Sequence, residues 1–186
     1  KLRIKRYSVH AGFCHDPSTR ELGQPFRAKK CISRKDYLER FIRRVCVLNE
    51  FAKSYNVDLY IENNVSIKEN IFDSKSLLLG SSIKELIEIK DKTGVKILID
   101  TGHLMVSANS LGLSEKEEFS NSKIIADAYH LSTNNRLRDQ NIPIRTDQLI
   151  LDYLKKDADF YTLEVYSNQK NILVDYNIIY QWLNNK

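Results

Sequence analysis

Short aliphatic runs alternate along the chain with longer segments in which apolar residues recur every three or four positions. The short runs are typical of buried parallel strands, and the longer segments are typical of amphipathic helices. Strands are predicted over residues 6–10, 57–61, 95–99, 124–130 and 160–165. Helices are predicted over residues 34–55, 82–92, 146–154 and 176–183, with a short acidic helix from about residue 114. This order indicates an α/β fold with a parallel sheet covered by helices.

Local signals predict where two of these helices begin and where the second of them ends. Ser33 with Asp36, and Ser82 with Glu85, have the spacing of helix-capping residues, and Gly94 can supply the left-handed turn after the second helix. The first helix is basic in its first half, which we interpret as a solvated face. Its basic residues there are Arg34, Lys35, Arg40, Arg43 and Arg44.

The composition fits one domain that spans residues 1–186 and can bury a core, with 42% hydrophobic residues. No apolar run approaches the roughly 18 residues of a membrane helix, and no signal peptide is evident, so we expect a cytoplasmic protein. Cys14, Cys31 and Cys46 are odd in number and lack a C-x-x-C pair, which predicts reduced thiols. The net charge of +5 comes from a mixed surface and is weak evidence for a polyanionic partner.

Every predicted strand ends in a potential metal ligand or acid. These residues are His10, Glu62, Asp100 with His103, His130 and Glu164. Because the carboxyl ends of parallel strands meet at one edge of a sheet, we expect the side chains to converge. Carboxylates with imidazoles and no thiolate suit one divalent ion such as Mn²⁺, Zn²⁺, Co²⁺ or Mg²⁺. An ion would also keep the crowded carboxylates charged.

The strand ends and their flanking residues resemble the xylose isomerase-like barrels. This family includes sugar phosphate isomerases and epimerases, and the endonuclease IV type of abasic-site endonuclease (AP endonuclease family 2). The resemblance rests on Ser-Val-His-Ala-Gly at 8–12, Leu-Tyr-Ile-Glu-Asn at 59–63, Ile-Leu-Ile-Asp-Thr-Gly-His-Leu at 97–104, Tyr-His-Leu-Ser at 129–132, Arg-Asp-Gln-Asn-Ile-Pro at 138–143 and Thr-Leu-Glu-Val at 162–165.

The resemblance implies a parallel (β/α)8 TIM barrel, of which these segments match the last five strands. The first three strands would then be absent, and the domain would be incomplete at its N-terminus. A length of 186 residues is also below the roughly 200–250 residues of a whole barrel.

The resemblance to the isomerases and epimerases also implies roles for individual residues. The metal ligands would be Glu62, Asp100, His130 and Glu164, and the substrate-binding residues His103, Arg136 and His10. Glu62 and Glu164 would also act as acid and base. The implied activity is isomerisation or epimerisation of a sugar, sugar phosphate or related polyol, by proton transfer next to a carbonyl held by the metal.

Several alternatives stay open on the sequence. A zinc phosphodiesterase acting on abasic DNA would need further zinc ligands, including an Asp-x-His motif that here reads Asp139-Gln140-Asn141. Because an amide oxygen is a poorer zinc ligand than imidazole, this difference favours a single metal and a small-molecule substrate over nucleic acid. A keto-inositol dehydratase and a non-catalytic barrel relic are further alternatives, and a homo-oligomer is compatible with the sequence.

Overall fold

The computed structural model describes residues 3–21, 25–26 and 33–185. Its strands and helices are β1 (Arg6–His10), α1 (Arg34–Ser54), β2 (Asp58–Glu62), β3 (Ile71–Phe72), β4 (Lys75–Ser76), α2 (Ile83–Thr93), β5 (Lys96–Asp100), α3 (Thr101–Leu111), α4 (Glu115–Ile125), β6 (Ala128–Leu131), β7 (Tyr161–Leu163) and α5 (Gln169–Asn184). Short 3-10 turns occur at Thr19–Glu21, Lys68–Asn70, Ile144–Thr146 and Gln148–Tyr153.

Five strands form one parallel sheet in the order β1-β2-β5-β6-β7, while β3 and β4 pair in a separate antiparallel hairpin. The predicted α/β class and the five predicted strands are therefore confirmed. Since all five strands run in the same direction, their carboxyl ends lie along one edge of the sheet.

The two faces of the sheet are covered differently because side chains alternate along each strand. On the helical side, residues such as Ile61 and Ile97 join the main core with Val45 of α1 and Leu86 of α2. On the other face a smaller cluster contains Tyr60, Leu98 and Ala128, against which Phe160 packs. The larger core therefore lies between the sheet and the helices, and the smaller one lies beneath the strand ends.

Helix α3 was absent from the sequence prediction, and the predicted fourth strand begins too early. Thr101 to Ala108 are all buried, so α3 has no polar face and therefore no amphipathic signal. Residues 124–125 belong to α4 and not to a strand, since Phe119, Ser122 and Ile125 are buried at helical spacing. The strand itself is limited to β6.

Two other predicted helices also differ in extent. The 146–154 helix is replaced by 3-10 turns on either side of Asp147, whose φ of −147° and ψ of 80° interrupt helical geometry. The last helix begins earlier than predicted, because the Asn168 side chain accepts the Asn171 N–H and starts α5 within a polar stretch. Ser33 caps α1 and Gly94 ends α2 in a left-handed conformation, as predicted.

Arg34 differs from the solvated basic face predicted for α1. Its guanidinium makes two hydrogen bonds to Glu85, at 3.0 and 2.8 Å, and a third to the Leu78 carbonyl oxygen at 3.0 Å. The Glu85 carboxylate accepts the hydrogen bonds from Arg34, and Ser82 caps α2 without a side-chain hydrogen bond. The predicted capping box of Ser82 and Glu85 therefore does not form. Arg34 instead ties α1 to α2 and to the chain before it.

Cys14 and Cys46 form no disulfide among the described residues, and the Cys14 sulfur accepts a hydrogen bond from Arg34, whereas Cys31 lies outside the described residues. Within the part of the chain that the structure describes, no helix is both long and apolar enough to cross a bilayer.

Candidate metal centre

At the carboxyl edge of the sheet, neighbouring strands place acids and histidines side by side. His10 is in register with Glu62 across β1 and β2, and Asp100 is in register with His130 across β5 and β6. Glu164 follows β7, and its N–H donates to the carbonyl oxygen of the last residue of β6. All five strand-end residues singled out in the sequence therefore lie along one edge.

Four of these side chains converge into a cluster. One ligand atom each from Glu62, Asp100, His130 and Glu164 lies within 4.8 Å of the other three. Nδ1 of His130 is 2.8 Å from Oε2 of Glu164 and 3.3 Å from Oε1 of Glu62. Glu62 and Asp100 are buried, whereas the Glu164 side chain is 41% exposed. The cluster is thus enclosed from below and accessible from the side of Glu164.

Two buried atoms of the cluster, Oδ2 of Asp100 and Nδ1 of His130, have no hydrogen-bond partner among the described residues. Oδ1 of Asp100 accepts the main-chain N–H of His103 at 2.7 Å, which leaves the second oxygen unpaired. Nδ1 of His130 is in contact with two carboxylates but outside hydrogen-bonding geometry. An unsatisfied buried polar group such as Oδ2 of Asp100 costs roughly 1–3 kcal/mol, and a cation placed beside it would offset that cost.

The protonation equilibria of the cluster reflect its crowding. Burial raises the pKa of Asp100 to about 6, because it disfavours the charged carboxylate. Burial alone would lower the pKa of His130, but the carboxylates of Glu164 and Glu62 outweigh it and raise the pKa to about 10. The His130 contact in turn lowers the pKa of Glu164. A divalent ion would replace the proton on His130 as the positive charge that these acids require.

A second group of potential ligands shares Glu62 and adds His10 and His103. Nδ1 of His103 lies 2.9 Å from the Asn63 carbonyl oxygen, and Nε2 lies 3.2 Å from Oδ2 of Asp139. Burial alone would lower the pKa of His103, but neighbouring carboxylates raise it to about 10. Burial lowers the pKa of His10, whose ring centroid is 5.4 Å from that of His103. A charged and a neutral imidazole therefore lie side by side.

A cavity of about 900 Å³, lined by both polar and apolar residues, adjoins the cluster at Glu164. Its polar lining consists of His10, Asn64, Asn70, His103, Arg138, Asp139, Asn141 and Glu164. Its apolar and aromatic lining consists of Phe13, Pro25, Phe26, Val65, Ile67, Leu78 and Tyr166. The volume and the mixed lining suit a small polar ligand.

The structure does not bring Arg136 to the other candidate residues. Its guanidinium makes hydrogen bonds to Glu115 at 2.8 and 2.9 Å, and one of its nitrogens lies 3.3 Å from Asp147. Arg138 lines the cavity instead, where it pairs with Glu69. Arg136 was predicted to bind substrate because it lies six residues after His130. That spacing does not reveal that Glu115 and Asp147 bind its side chain.

Sequence reasoning also missed two roles near His103. In the sequence Asp139 stands out only as part of an imperfect zinc motif, yet its carboxylate contacts His103 directly. Asn63 stands out only as the residue after a strand-end acid, yet its side chain bonds to the main chain of Asp100. Neither contact follows a local spacing, so no sequence signal of the kind used above could have found them.

The donor set fits a divalent ion. Carboxylate oxygens and an imidazole nitrogen, without thiolate, suit Mg²⁺, Mn²⁺, Co²⁺ or Zn²⁺, and the unpaired Asp100 oxygen offers a position for one. Fold and site together therefore define a parallel β/α protein with a candidate metal centre at the carboxyl ends of its strands. This is the end at which (β/α)8 barrels carry their active sites.

Comparison with known proteins finds similar folds among solved structures. No family model matches the chain, and no curated protein matches its sequence. Among solved structures the chain is similar to a D-tagatose 3-epimerase-like protein, with 17% identity and a TM-score of 0.62 over 96% of this chain and 62% of that one. It is similar to a protein from Thermus thermophilus soaked with zinc chloride, with 14% identity and a TM-score of 0.54 over 95% of this chain and 62% of that one.

A further match is a xylose isomerase-like TIM barrel protein from Mycobacterium smegmatis in complex with magnesium. Its identity is 14% and its TM-score 0.52, over 95% of this chain and 60% of that one. The chain therefore has a partial TIM-barrel fold with five parallel strands, and it spans about 60% of the length of the solved structures that it matches. The fold expected from the strand-end motifs is confirmed.

Proposed function

We propose that this chain carries the metal-dependent proton-transfer site of a sugar or sugar phosphate isomerase or epimerase. The observation that best supports the proposal is the four-residue cluster with an unpaired Asp100 oxygen at the strand ends. Similar structures add support, since they include a D-tagatose 3-epimerase-like protein and a barrel in complex with magnesium. The substrate class is a ketose, its phosphate or a related polyol.

When bound by Glu62, Asp100, His130 and Glu164, one divalent ion (Mn²⁺, Zn²⁺, Co²⁺ or Mg²⁺) would polarise a substrate carbonyl. A carboxylate can remove a proton from the carbon next to a polarised carbonyl, and a second carboxylic acid can return it. We assign these two roles to Glu164 and Glu62. Glu164 is accessible from the cavity, whereas Glu62 is buried, so Glu164 is the better placed of the two to meet substrate first.

We assign substrate binding to the two histidines that line the cavity. His103, with its pKa raised to about 10, would donate to a substrate oxygen from Nε2, in competition with its contact to Asp139. The neutral His10 beside it can accept or donate a hydrogen bond. Arg138 lies in the cavity wall and is better placed than Arg136 for a hydroxyl or phosphate. We therefore propose that this site binds a small molecule. The cytoplasmic location and the homo-oligomer are predictions from the sequence alone.

Solvent exchange tests the proposed proton transfer. The protein, reconstituted with Mn²⁺, is incubated in D₂O with a panel of ketopentoses, ketohexoses and their phosphates, and NMR follows deuterium entering the carbon next to the carbonyl. We expect exchange with at least one member of the panel, and we expect Glu164→Gln to reduce it by about 100-fold or more, as for loss of a general base.

The matched control is Glu88→Gln, which removes the charge of a partly exposed glutamate of α2 that pairs with Lys92. This variant should keep the wild-type exchange rate, and circular dichroism should show all three proteins folded. Undiminished exchange in Glu164→Gln would contradict the assignment. Metal analysis should find about one divalent ion per chain, as a single Lewis-acid site requires.

A phosphodiesterase acting on abasic DNA is the second candidate, and the group of His10, Glu62 and His103 favours it because it offers a further cation position. Asn141 opposes it, since this buried residue lines the cavity where the zinc motif would need imidazole. About three zinc ions per chain together with incision of an abasic duplex would favour the phosphodiesterase. A chain without any stoichiometric ion would favour a non-catalytic role.

A further inference from the structure

Asn63, the residue after β2, uses its side chain to hold the main chain of Asp100. Asn63 is buried, with 3% of its surface exposed. Its Oδ1 accepts the N–H of Asp100 at 2.7 Å, and its Nδ2 donates to the carbonyl oxygen of Asp100 at 3.0 Å. The amide therefore makes both of the hydrogen bonds that a neighbouring strand would make to one residue.

This contact occurs where regular pairing has stopped. The register between β2 and β5 ends with Glu62 opposite Leu98, two residues before Asp100. Asp100 is also the N-cap of α3, so the chain changes there from strand to helix. On the β2 side, the Asn63 amide replaces the missing ladder and fixes the point at which the chain turns.

The same residue fixes a second side chain of the site. The main-chain oxygen of Asn63 lies 2.9 Å from Nδ1 of His103. A carbonyl can only accept, so Nδ1 donates to it, and Nε2 is directed to Asp139. Hydrogen bonds of this kind orient histidine rings in metal sites. Asn63 thus connects a candidate metal ligand with a candidate substrate-binding residue.

We propose that Asn63 is a positioning residue of the metal centre, which acts by holding Asp100 so that its unpaired oxygen Oδ2 faces Glu62, His130 and Glu164. This inference rests on the proposed function. With the main chain held by Asn63 and Oδ1 held by the His103 N–H, the direction of Oδ2 is determined. Without the amide, Asp100 keeps its charge and its cap but loses its fixed position.

Cobalt binding tests the proposal without a substrate. Co²⁺ is titrated by calorimetry and by visible absorption into the wild type, Asn63→Ala, Asp100→Asn and the double variant. We expect Asn63→Ala to weaken Co²⁺ binding by about 10–100-fold, the usual effect of removing a residue that orients a ligand. Because Asn63 acts through Asp100, its removal should have little further effect in the Asp100→Asn background.

Asn49→Ala is the matched control. Asn49 is equally buried, with 4% exposed, but its amide donates to the Thr93 carbonyl oxygen outside the cavity. This variant should lower the thermal stability and leave Co²⁺ affinity unchanged. If Asn63→Ala does not fold, Asn63→Ser replaces it in the same titrations.

Two results would overturn the proposal and one would overturn its basis. Wild-type Co²⁺ affinity in Asn63→Ala, to within about twofold, would show that the amide does not position the ligand. Fully additive effects in the double variant would show that it does not act through Asp100. Failure of the wild type to bind Co²⁺ would instead contradict the proposed metal-dependent function itself.

Discussion

Asp159 is the centre of an ionic network at the amino-terminal end of the strands, opposite the metal cluster. Tyr60 donates its hydroxyl to Oδ2 of Asp159 at 2.7 Å, and Nζ of Lys96 lies 2.8 Å from the same oxygen. Lys96 also pairs with Asp58 at 3.0 Å. Hydrogen bonds from Lys96 and Tyr60 lower the pKa of Asp159, and burial raises the pKa of Tyr60 to about 12.

The lowered pKa of Asp159 predicts an acid-dependent contribution to stability. Because its pKa is lower in the folded than in the unfolded protein, the contribution is present above the unfolded pKa and is lost as the pH falls through the folded pKa. Asp159→Asn should therefore cost about 1 kcal/mol at pH 7, since the network is partly exposed. It should also flatten the loss of stability on acidification below about pH 4.

Urea unfolding at several pH values checks this prediction. Asp91→Asn, at an exposed position of α2, is the control and should follow the wild-type pH dependence. Parallel curves for Asp159→Asn and the wild type would contradict the assignment of this acid sensitivity to Asp159.

Individual residues show how far the site could be read from sequence. The strand ends were predictable, because a buried strand leaves an aliphatic run and the next acid or histidine then lies at its carboxyl end. This logic located Glu62, Asp100 and His130 in one cluster. Arg136 and Asn63 could not be assigned in the same way, because their partners lie 21 and 37 positions away and depend on how the chain folds.

The helices were predictable where one face is polar. Helix α1 has buried Leu38, Ile42 and Val45 at helical spacing, and a serine cap that sequence can identify. Helix α3 could not be found in this way, because it is buried on all sides and its first residues, Thr101 and Gly102, suggest a turn. Helix α3 begins where the Asp100 side chain accepts the His103 N–H. The sequence identifies Asp100 as an acid at the end of a strand, and this interpretation hides its second role as a helix cap.

Two glycines allow the packing of the chain before α2 to be tested. Gly80 has a φ of +66°, and a Cβ placed there would lie 2.6 Å from Cβ of Ala11 and 3.2 Å from Leu86. Gly94 has a similar φ of +62°, but a Cβ there would meet nothing within 4 Å. The pair therefore separates the cost of the left-handed backbone from the cost of crowding.

Both alanine variants should be destabilised, but unequally. Gly94→Ala should cost about 1–2 kcal/mol from the left-handed conformation alone. Gly80→Ala should cost about 1–3 kcal/mol more, because Ala11 and Leu86 must move to admit the methyl group. Denaturant unfolding of the two variants provides the comparison, and equal losses would mean that the site around Gly80 relaxes freely.

At the scale of the whole molecule, the described sheet is open, with β1 and β7 at its edges. A closed (β/α)8 barrel has eight strands, and the matched structures are longer than this chain. Large apolar side chains are exposed on β1 and on the helices, including Tyr7 on β1, Phe51 on α1 and Tyr176 on α5. The strand ends that supply the cluster nevertheless lie within the described sheet, so the candidate metal centre does not depend on further strands for its four ligands.

Metal binding should therefore stabilise the molecule as a whole. An ion that binds only the folded chain adds about 2.7 kcal/mol at a concentration of 100 Kd. For a chain of this size that corresponds to an increase of about 5–10 °C in Tm. Differential scanning calorimetry with and without Co²⁺ measures the shift.

Asp100→Asn separates this effect from non-specific binding. The asparagine oxygen can still cap α3 by accepting the His103 N–H, so the helix should persist. The substitution removes a buried carboxylate whose charge is disfavoured, as the pKa of about 6 indicates, so the metal-free variant should melt at or above the wild-type temperature. The Co²⁺-dependent increase should be largely lost. An undiminished Co²⁺-dependent increase in the Tm of Asp100→Asn would mean that the ion stabilises the protein from another position. A lower Tm of this variant without metal would mean that the Asp100 carboxylate stabilises the fold even when no ion is bound.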